Sequence, residues 1–185
     1  MEKGTYGYGK KKLKAQILKL AACCVLVFGA LTIGLITTGN RKNIWTVGAV
    51  CSVLPAATFA VNVIARCKGL PLKSEEYERL AKVSGGLVLS CDMILTAGQK
   101  LIPVQAAVFH EMGITAYTAS KKVEVKQAEK DINGLLKSIG VYSKIQLYTD
   151  YSAFLKRVDG IQPPESDEKK KELEKKKEEF LVYSM

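Results

Sequence analysis

Two long stretches without a single charged residue, 20–38 and 44–65, dominate the pattern of this chain. Each is about the 20 residues that a helix needs to cross the hydrocarbon core of a bilayer. The connector Gly39-Asn40-Arg41-Lys42-Asn43 is too short for anything but an antiparallel return, and its Gly and Asn residues suit a tight turn. The pattern predicts a two-helix transmembrane hairpin over 20–66, with spans at about 20–38 and 44–65. Small residues at four-residue spacing, Ala30 and Gly34 in the first span and Gly48, Ser52, Ala56 and Ala60 in the second, predict that the helix backbones approach closely. Pro55 is expected to kink the second helix. Trp45 belongs at an interface, and Asn62, near the inner end, is expected to reach toward the headgroups.

Beyond Cys67 the periodicity changes. Ser74, with Glu75 and Glu76 in the first turn, opens a short helix that Gly85-Gly86 ends. A β-rich run over 87–96 leads into the turn Ala97-Gly98-Gln99. Pro103 opens a second run over 104–110, and Met112-Gly113 turns into a third over 114–118. Ser120 is expected to cap a helix whose apolar face carries Val125, Ala128, Ile132, Leu135, Leu136 and Ile139, with Gly140 as its stop. A fourth strand is expected at 145–148, followed by a helix capped by Asp150 and carrying Phe154, Leu155 and Val158.

Gly160 and Pro163-Pro164 close the domain, which occupies 74–162. The fold class expected is a membrane α-helical hairpin plus a small cytoplasmic α/β domain, with element order α-β-β-β-α-β-α. The charged tail, 163–185, reads as a solvated, partly frayed helix with Glu172–Lys176 and Glu174–Lys177 pairs. Its only apolar residues at heptad spacing, Leu173 and Phe180, are too few for a coiled coil.

The net charge of +10 invites a nucleic-acid reading until it is located. Residues 1–82 hold 13 basic and 4 acidic side chains, a net of +9, whereas 83–185 hold 15 and 14, a net of +1. The basicity flanks the apolar spans, so no nucleic-acid partner is expected and the bilayer itself is the first one. Lys3, Lys10, Lys11, Lys12, Lys14 and Lys19 precede the hairpin, and Arg66, Lys68, Lys73, Arg79 and Lys82 follow it, against only Arg41 and Lys42 in the loop. By the positive-inside rule this is a multi-pass protein of the cell membrane with both termini cytoplasmic, its segment 1–19 a basic tail in which Tyr6-Gly7-Tyr8-Gly9 is flexible. Leu20-Ala21-Ala22-Cys23 has the letters of a lipoprotein box, but lysines precede it and the apolar run follows. No cleavable signal peptide is expected.

The cysteines suggest no chemistry. Cys23, Cys24 and Cys51 lie in the spans, Cys67 just beyond them, and Cys91 in the domain, with no zinc or disulfide-framework spacing. The lone histidine, His110, beside Glu111 in a hairpin turn, reads as a surface residue, and Cys91 as a buried structural thiol. Ser84-Gly85-Gly86 is too short for a phosphate loop.

The order helix, three strands, helix, strand resembles the restriction-endonuclease-like core. That resemblance implies an Asp on the second strand and Glu-x-Lys on the third, around a divalent metal. Asp92, Glu124 and Lys126 supply the letters at other places: Asp92 on the first strand, and Glu124 and Lys126 in the first turn of a helix, where residues two apart point about 200° apart. No catalytic, cofactor-binding or metal-binding residue is therefore assigned. The function expected is a non-enzymatic membrane anchor whose α/β domain binds a protein partner or scaffolds a complex. The alternatives are a tethered nuclease-like domain and a small subunit of a larger membrane assembly.

Overall fold

The computed structural model describes residues 2–39, 44–69, 71–97, 100–138, 140–141 and 143–184. The chain forms two compact units, Lys11–Cys67 on the one hand and Met1–Lys10 with Lys68–Met185 on the other.

The first unit is helical. Helix α1 runs Tyr8–Thr38 and α2 runs Ile44–Cys67, about 46 and 36 Å at 1.5 Å per residue, against roughly 30 Å of hydrocarbon. Both are long and apolar enough to cross a membrane, with mean hydropathies of 2.4 and 1.9 in their most apolar windows. The helix of the first expected span starts earlier than Leu20, at Tyr8. Apolar side chains along both helices are exposed: Ile36 is 83% exposed and Leu54 75%. The helix α2 continues through Pro55. Gly39, at φ 59°, closes α1 by donating its N–H to Leu35 O. The expected loop residues 40–43 lie outside the described residues.

One stripe on each helix is covered. On α1 it follows Leu20, Cys23, Val27, Ala30 and Gly34, and on α2 Ala49, Ser52, Ala56, Ala60 and Val63. The close approach expected at Gly48 is not formed. Gly48 is exposed, a Cβ there would meet nothing within 4 Å, and it lines a cleft of about 400 Å³ with Leu26, Ala30 and Trp45. Ala49, rotated about 100° around the axis, holds the covered position instead.

The second unit is built on a four-stranded mixed sheet in the order β1-β2-β3-β4. The strands are β1 (Val88–Ala97), β2 (Lys100–His110), β3 (Gly113–Tyr117) and β4 (Ile145–Tyr148). The helices are α3 (Ser74–Val83), α4 (Val125–Ser138), α5 (Tyr151–Asp159) and α6 (Asp167–Val182). β1–β2 and β2–β3 pair antiparallel, while β3–β4 pair parallel through the α4 crossover. One face packs on α4 and α6 through Phe109, Ile114, Ile132, Leu136 and Phe180, the other on α3 and α5 through Val108, Leu80, Phe154 and Val158. A sheet covered on both faces needs strands apolar on both faces. The run from Val104 to Phe109 meets that need, being almost wholly apolar and buried throughout.

The alternation along the first two strands resets at one point. Val88 faces the α4–α6 side and Cys91 the opposite side, yet Met93, Leu95 and Ala97 all return to the α4–α6 side. On β2 Ile102 and Val104 share that side, and Ala106 and Val108 do not. Asp92 and Gln105 are the position between the pairs Cys91–Ala106 and Met93–Val104. Asp92 has φ 55°, the left-handed region, which Asp tolerates better than most residues. This single residue re-phases the hairpin and keeps its register.

Pro103 lies within β2, not at its opening, and pairs with Ile94. Residues 100–105 of β2 have no neighbour in β3, which pairs only with 106–110, so a proline is tolerated there as on an edge. The expected turn residues Gly98 and Gln99 and the expected core residue Ile139 lie outside the described residues. Ser120 does not cap α4. A turn intervenes, in which Val123 N–H donates to Ser120 O, and the helix starts at Val125. Asp150 does cap α5, accepting the N–H groups of Ser152 and Ala153.

Both ends of the chain differ from expectation. The tail is not a solvated helix: α6, capped by Ser166, buries Leu173, Phe180 and Leu181 on the sheet, and Phe180 meets Phe109 edge-on at 5.5 Å. Pro163-Pro164 is thus a corner within the fold. The heptad spacing of Leu173 and Phe180 serves a sheet face in place of a second helix. Of the two expected ion pairs, Glu172–Lys176 is formed at 3.3 Å. The segment Tyr6-Gly7-Tyr8-Gly9 is not flexible either: Tyr6 stacks on Tyr77 with centroids 4.0 Å apart, and its OH donates to Leu72 O.

Candidate functional site

Asp92 organises this docking. The αL turn aims its carboxylate at the start of α1, where the first N–H groups of the helix have no intrahelical acceptor. Oδ2 accepts the Gly7 N–H at 2.7 Å. Beside it Cys91 N–H donates to Gly4 O at 2.7 Å, and Gly4, at φ 86°, sits where a Cβ would run into Ser90 Oγ. Burial raises the Asp92 pKa, while the Gly7 and Gly9 N–H groups and Lys10 pull the other way. Asp92 is therefore an N-cap supplied from the far side of the sequence.

Asp92→Ala is expected to cost about 2 kcal/mol, combining a lost cap with an alanine forced left-handed. Asp92→Asn keeps an acceptor and tolerates that backbone, and should stay within about 1 kcal/mol of the parent. Hydrogen exchange at residues 4–10 should rise in the first variant far more than in the second.

The two outer strands of the sheet are partly closed, while residues 100–105 of β2 stay unpaired on the β3 side. On β4 the outward N–H groups of Ile145 and Leu147 donate to Asn133 Oδ1 and Glu129 Oε1 of α4. The outer edge of β1 is met by Gly4 at Cys91 and bridged by Ser184 at Leu95. Closure of this kind blocks edge-to-edge association.

Other candidates resolve into structure. His110 is buried, not on the surface: the fold puts it under the sheet's α3–α5 face, where Nε2 lies 3.0 Å from Thr115 Oγ1. Burial, then Arg157, lowers its pKa. The unfolded chain therefore takes up a proton more readily than the folded one, and stability falls as pH drops through 6.5 toward the depressed value. Chemical denaturation of His110→Gln should show a flatter stability profile between pH 7 and 5 than the parent.

Cys91 is buried, and its thiol is pushed up to about 12 by burial and then by Asp92, so it is inert at neutral pH. Glu111, next to His110 in the chain, forms an exposed ion pair with Lys169 at 2.9 Å. Ser84–Gly86 is the turn that closes α3, Ser84 N–H donating to Leu80 O.

The three nuclease letters do not meet. Asp92 is occupied by the start of α1, and Lys126 projects to solvent. Glu124 lies in a groove of about 740 Å³ between the start of α4 and residues 100–103 of the β1–β2 hairpin. Among the described residues no three His, Cys, Asp or Glu side chains gather to hold a metal ion. The groove gathers polar and charged groups from separate segments. Lys68, Lys100 and Lys122 line it from three separate segments, with Ser120, Gln127, Glu124 and Asp131. None of the three lysines is ion-paired among the described residues.

The chain matches no family model, no curated protein and no solved structure. What it does must be argued from its own geometry. Sequence reasoning placed Lys68 among the basic flanks and passed over Lys100 and Lys122. Their only local signal is a lysine at a hairpin tip and another just ahead of a helix.

Proposed function

We propose that this is an integral membrane protein. Its α1–α2 hairpin crosses the bilayer with both chain ends cytoplasmic, and it holds the sheet unit at the membrane to bind a protein partner or scaffold an assembly. One observation carries the reading: two helices long enough to span carry exposed apolar side chains along their length. In water such surface would be a large liability, and in lipid it is neutral. The lysines on either side of the hairpin favour the inside-inside orientation. Alkaline extraction of membranes from cells expressing the full chain tests the anchor. The chain should stay in the pellet at high pH and enter solution only with detergent, and release at high pH would contradict it.

Partner binding can be assigned to one unit. The full chain, captured from detergent extracts, is compared with a variant in which 11–67 is replaced by an unrelated apolar hairpin. Co-purifying proteins retained by the variant support the sheet unit as the binding surface. Loss of them favours the reading in which the hairpin itself joins a larger membrane assembly.

A nuclease-related core is the second reading, favoured by the mixed sheet with three antiparallel strands and a parallel fourth behind α4. Divalent-metal titration of the detergent-solubilised parent and of Asp92→Asn and Glu124→Gln variants decides it. No binding by the parent removes the enzyme reading.

A further inference from the structure

The groove beside α4 has a charge and a covalent position that the anchor alone does not explain. Lys68, Lys100 and Lys122 contribute three positive charges, and Glu124 and Asp131 subtract two. Asp131 is also tied up, its Oδ1 accepting the Gln127 amide N–H at 2.7 Å. The groove thus carries a net charge of about one positive unit, with Ser120 as a neutral hydroxyl. Lys68 is the residue next to Cys67, the last of α2, so its Cα lies about 3.8 Å from that helix end.

We propose that this groove binds the monoanionic phosphodiester headgroup of an anionic phospholipid, its lysines meeting the phosphate. The proposal rests on the anchor reading, since only a helix end at the interface brings Lys68 to headgroup level. A single phosphodiester matches the groove's net charge, whereas a polyphosphate would meet Glu124 and Asp131 with repulsion. Lysine binds phosphate as a point charge and needs no fixed fork, which suits a headgroup that exchanges laterally. A basic side chain near an anionic leaflet contributes about 1 kcal/mol, or roughly fivefold.

The test uses the full chain in nanodiscs of phosphatidylcholine alone or with phosphatidylglycerol. Amine acylation, read residue by residue by mass spectrometry, reports the lysines. Co-purification of the chain with either disc checks the anchor separately, and failure to enter discs would sink that reading before the groove is tested. In anionic discs Lys68, Lys100 and Lys122 should react about fivefold more slowly than in neutral discs, while Lys126 and Lys169 keep their rates. High salt should weaken the protection. A Lys100→Gln/Lys122→Gln variant should lose the lipid dependence remaining at Lys68. Equal rates at the three groove lysines in both discs would overturn the proposal. So would protection by millimolar inorganic phosphate in neutral discs without any effect of the anionic lipid, which would assign the groove to a free phosphate.

Discussion

Gly113→Ala is expected to unfold the sheet unit or leave it severely weakened. Gly113 has φ 145°, and a Cβ there would collide with the backbone carbonyl oxygen of Lys144. That same oxygen accepts the Ile114 N–H at 2.9 Å, the first rung between β3 and β4. The alanine can relieve the collision only by opening that rung or leaving a backbone region that glycine alone tolerates. Strain of this kind costs about 1–3 kcal/mol, and overpacking against rigid backbone adds a similar amount. The sum is a large part of the roughly 5–15 kcal/mol that holds a domain together. Denaturant titration of the detergent-solubilised chain measures it, with Gly134→Ala as the control. Gly134 is exposed on α4 with nothing near its missing Cβ, so that change should be neutral or stabilising by up to about 1 kcal/mol.

The second large effect is at the other end of the unit. Phe180→Ala removes a ring that is 1% exposed and edge-on to Phe109. Deleting a buried phenylalanine costs about 3–5 kcal/mol, whereas the same change on a frayed, solvated helix would cost within about 0.5 kcal/mol. Lys175→Ala, on the exposed side of α6, should fall in that small range. A denaturation midpoint unchanged by Phe180→Ala would mean that α6 does not cover the sheet. The same reasoning makes removal of 167–184 destabilising, through the loss of Leu173 and Leu181 as well.

The contrast between tail and strands shows where the sequence was legible. The hairpin strands declared themselves by β-rich runs between turn residues, and α4 by apolar residues every three or four positions, because those signals are local. α6 carries three buried apolar residues among many charges, and nothing local says that a sheet awaits them. The clue lay elsewhere, in strands apolar on both faces that need a helical layer on each side. Segment 4–9 was still less readable. Its glycines and tyrosines have no period, and Asp92, which grips it, lies 85 residues away from Gly7. His110 was misplaced for a related reason, since its position beside a turn hid that the sheet's second layer buries it. The groove lysines come together only through the β1–β2 hairpin and the turn before α4. Asp92 is the instructive case: a carboxylate suggestive of metal chemistry by letter is a cap by geometry.

The anchor remains the central claim, and site-directed labelling tests it most directly. In a variant with the five cysteines of the chain replaced, a single cysteine is placed either at Asn40, in the short loop, or at Ser166, the cap of α6. A membrane-impermeant maleimide is then applied to intact cells and to lysed membranes. The account predicts that position 40 reacts in intact cells and that position 166 reacts only after lysis. Labelling of position 166 in intact cells with position 40 protected would reverse the topology. Equal labelling of both only after lysis would contradict a hairpin that crosses the bilayer.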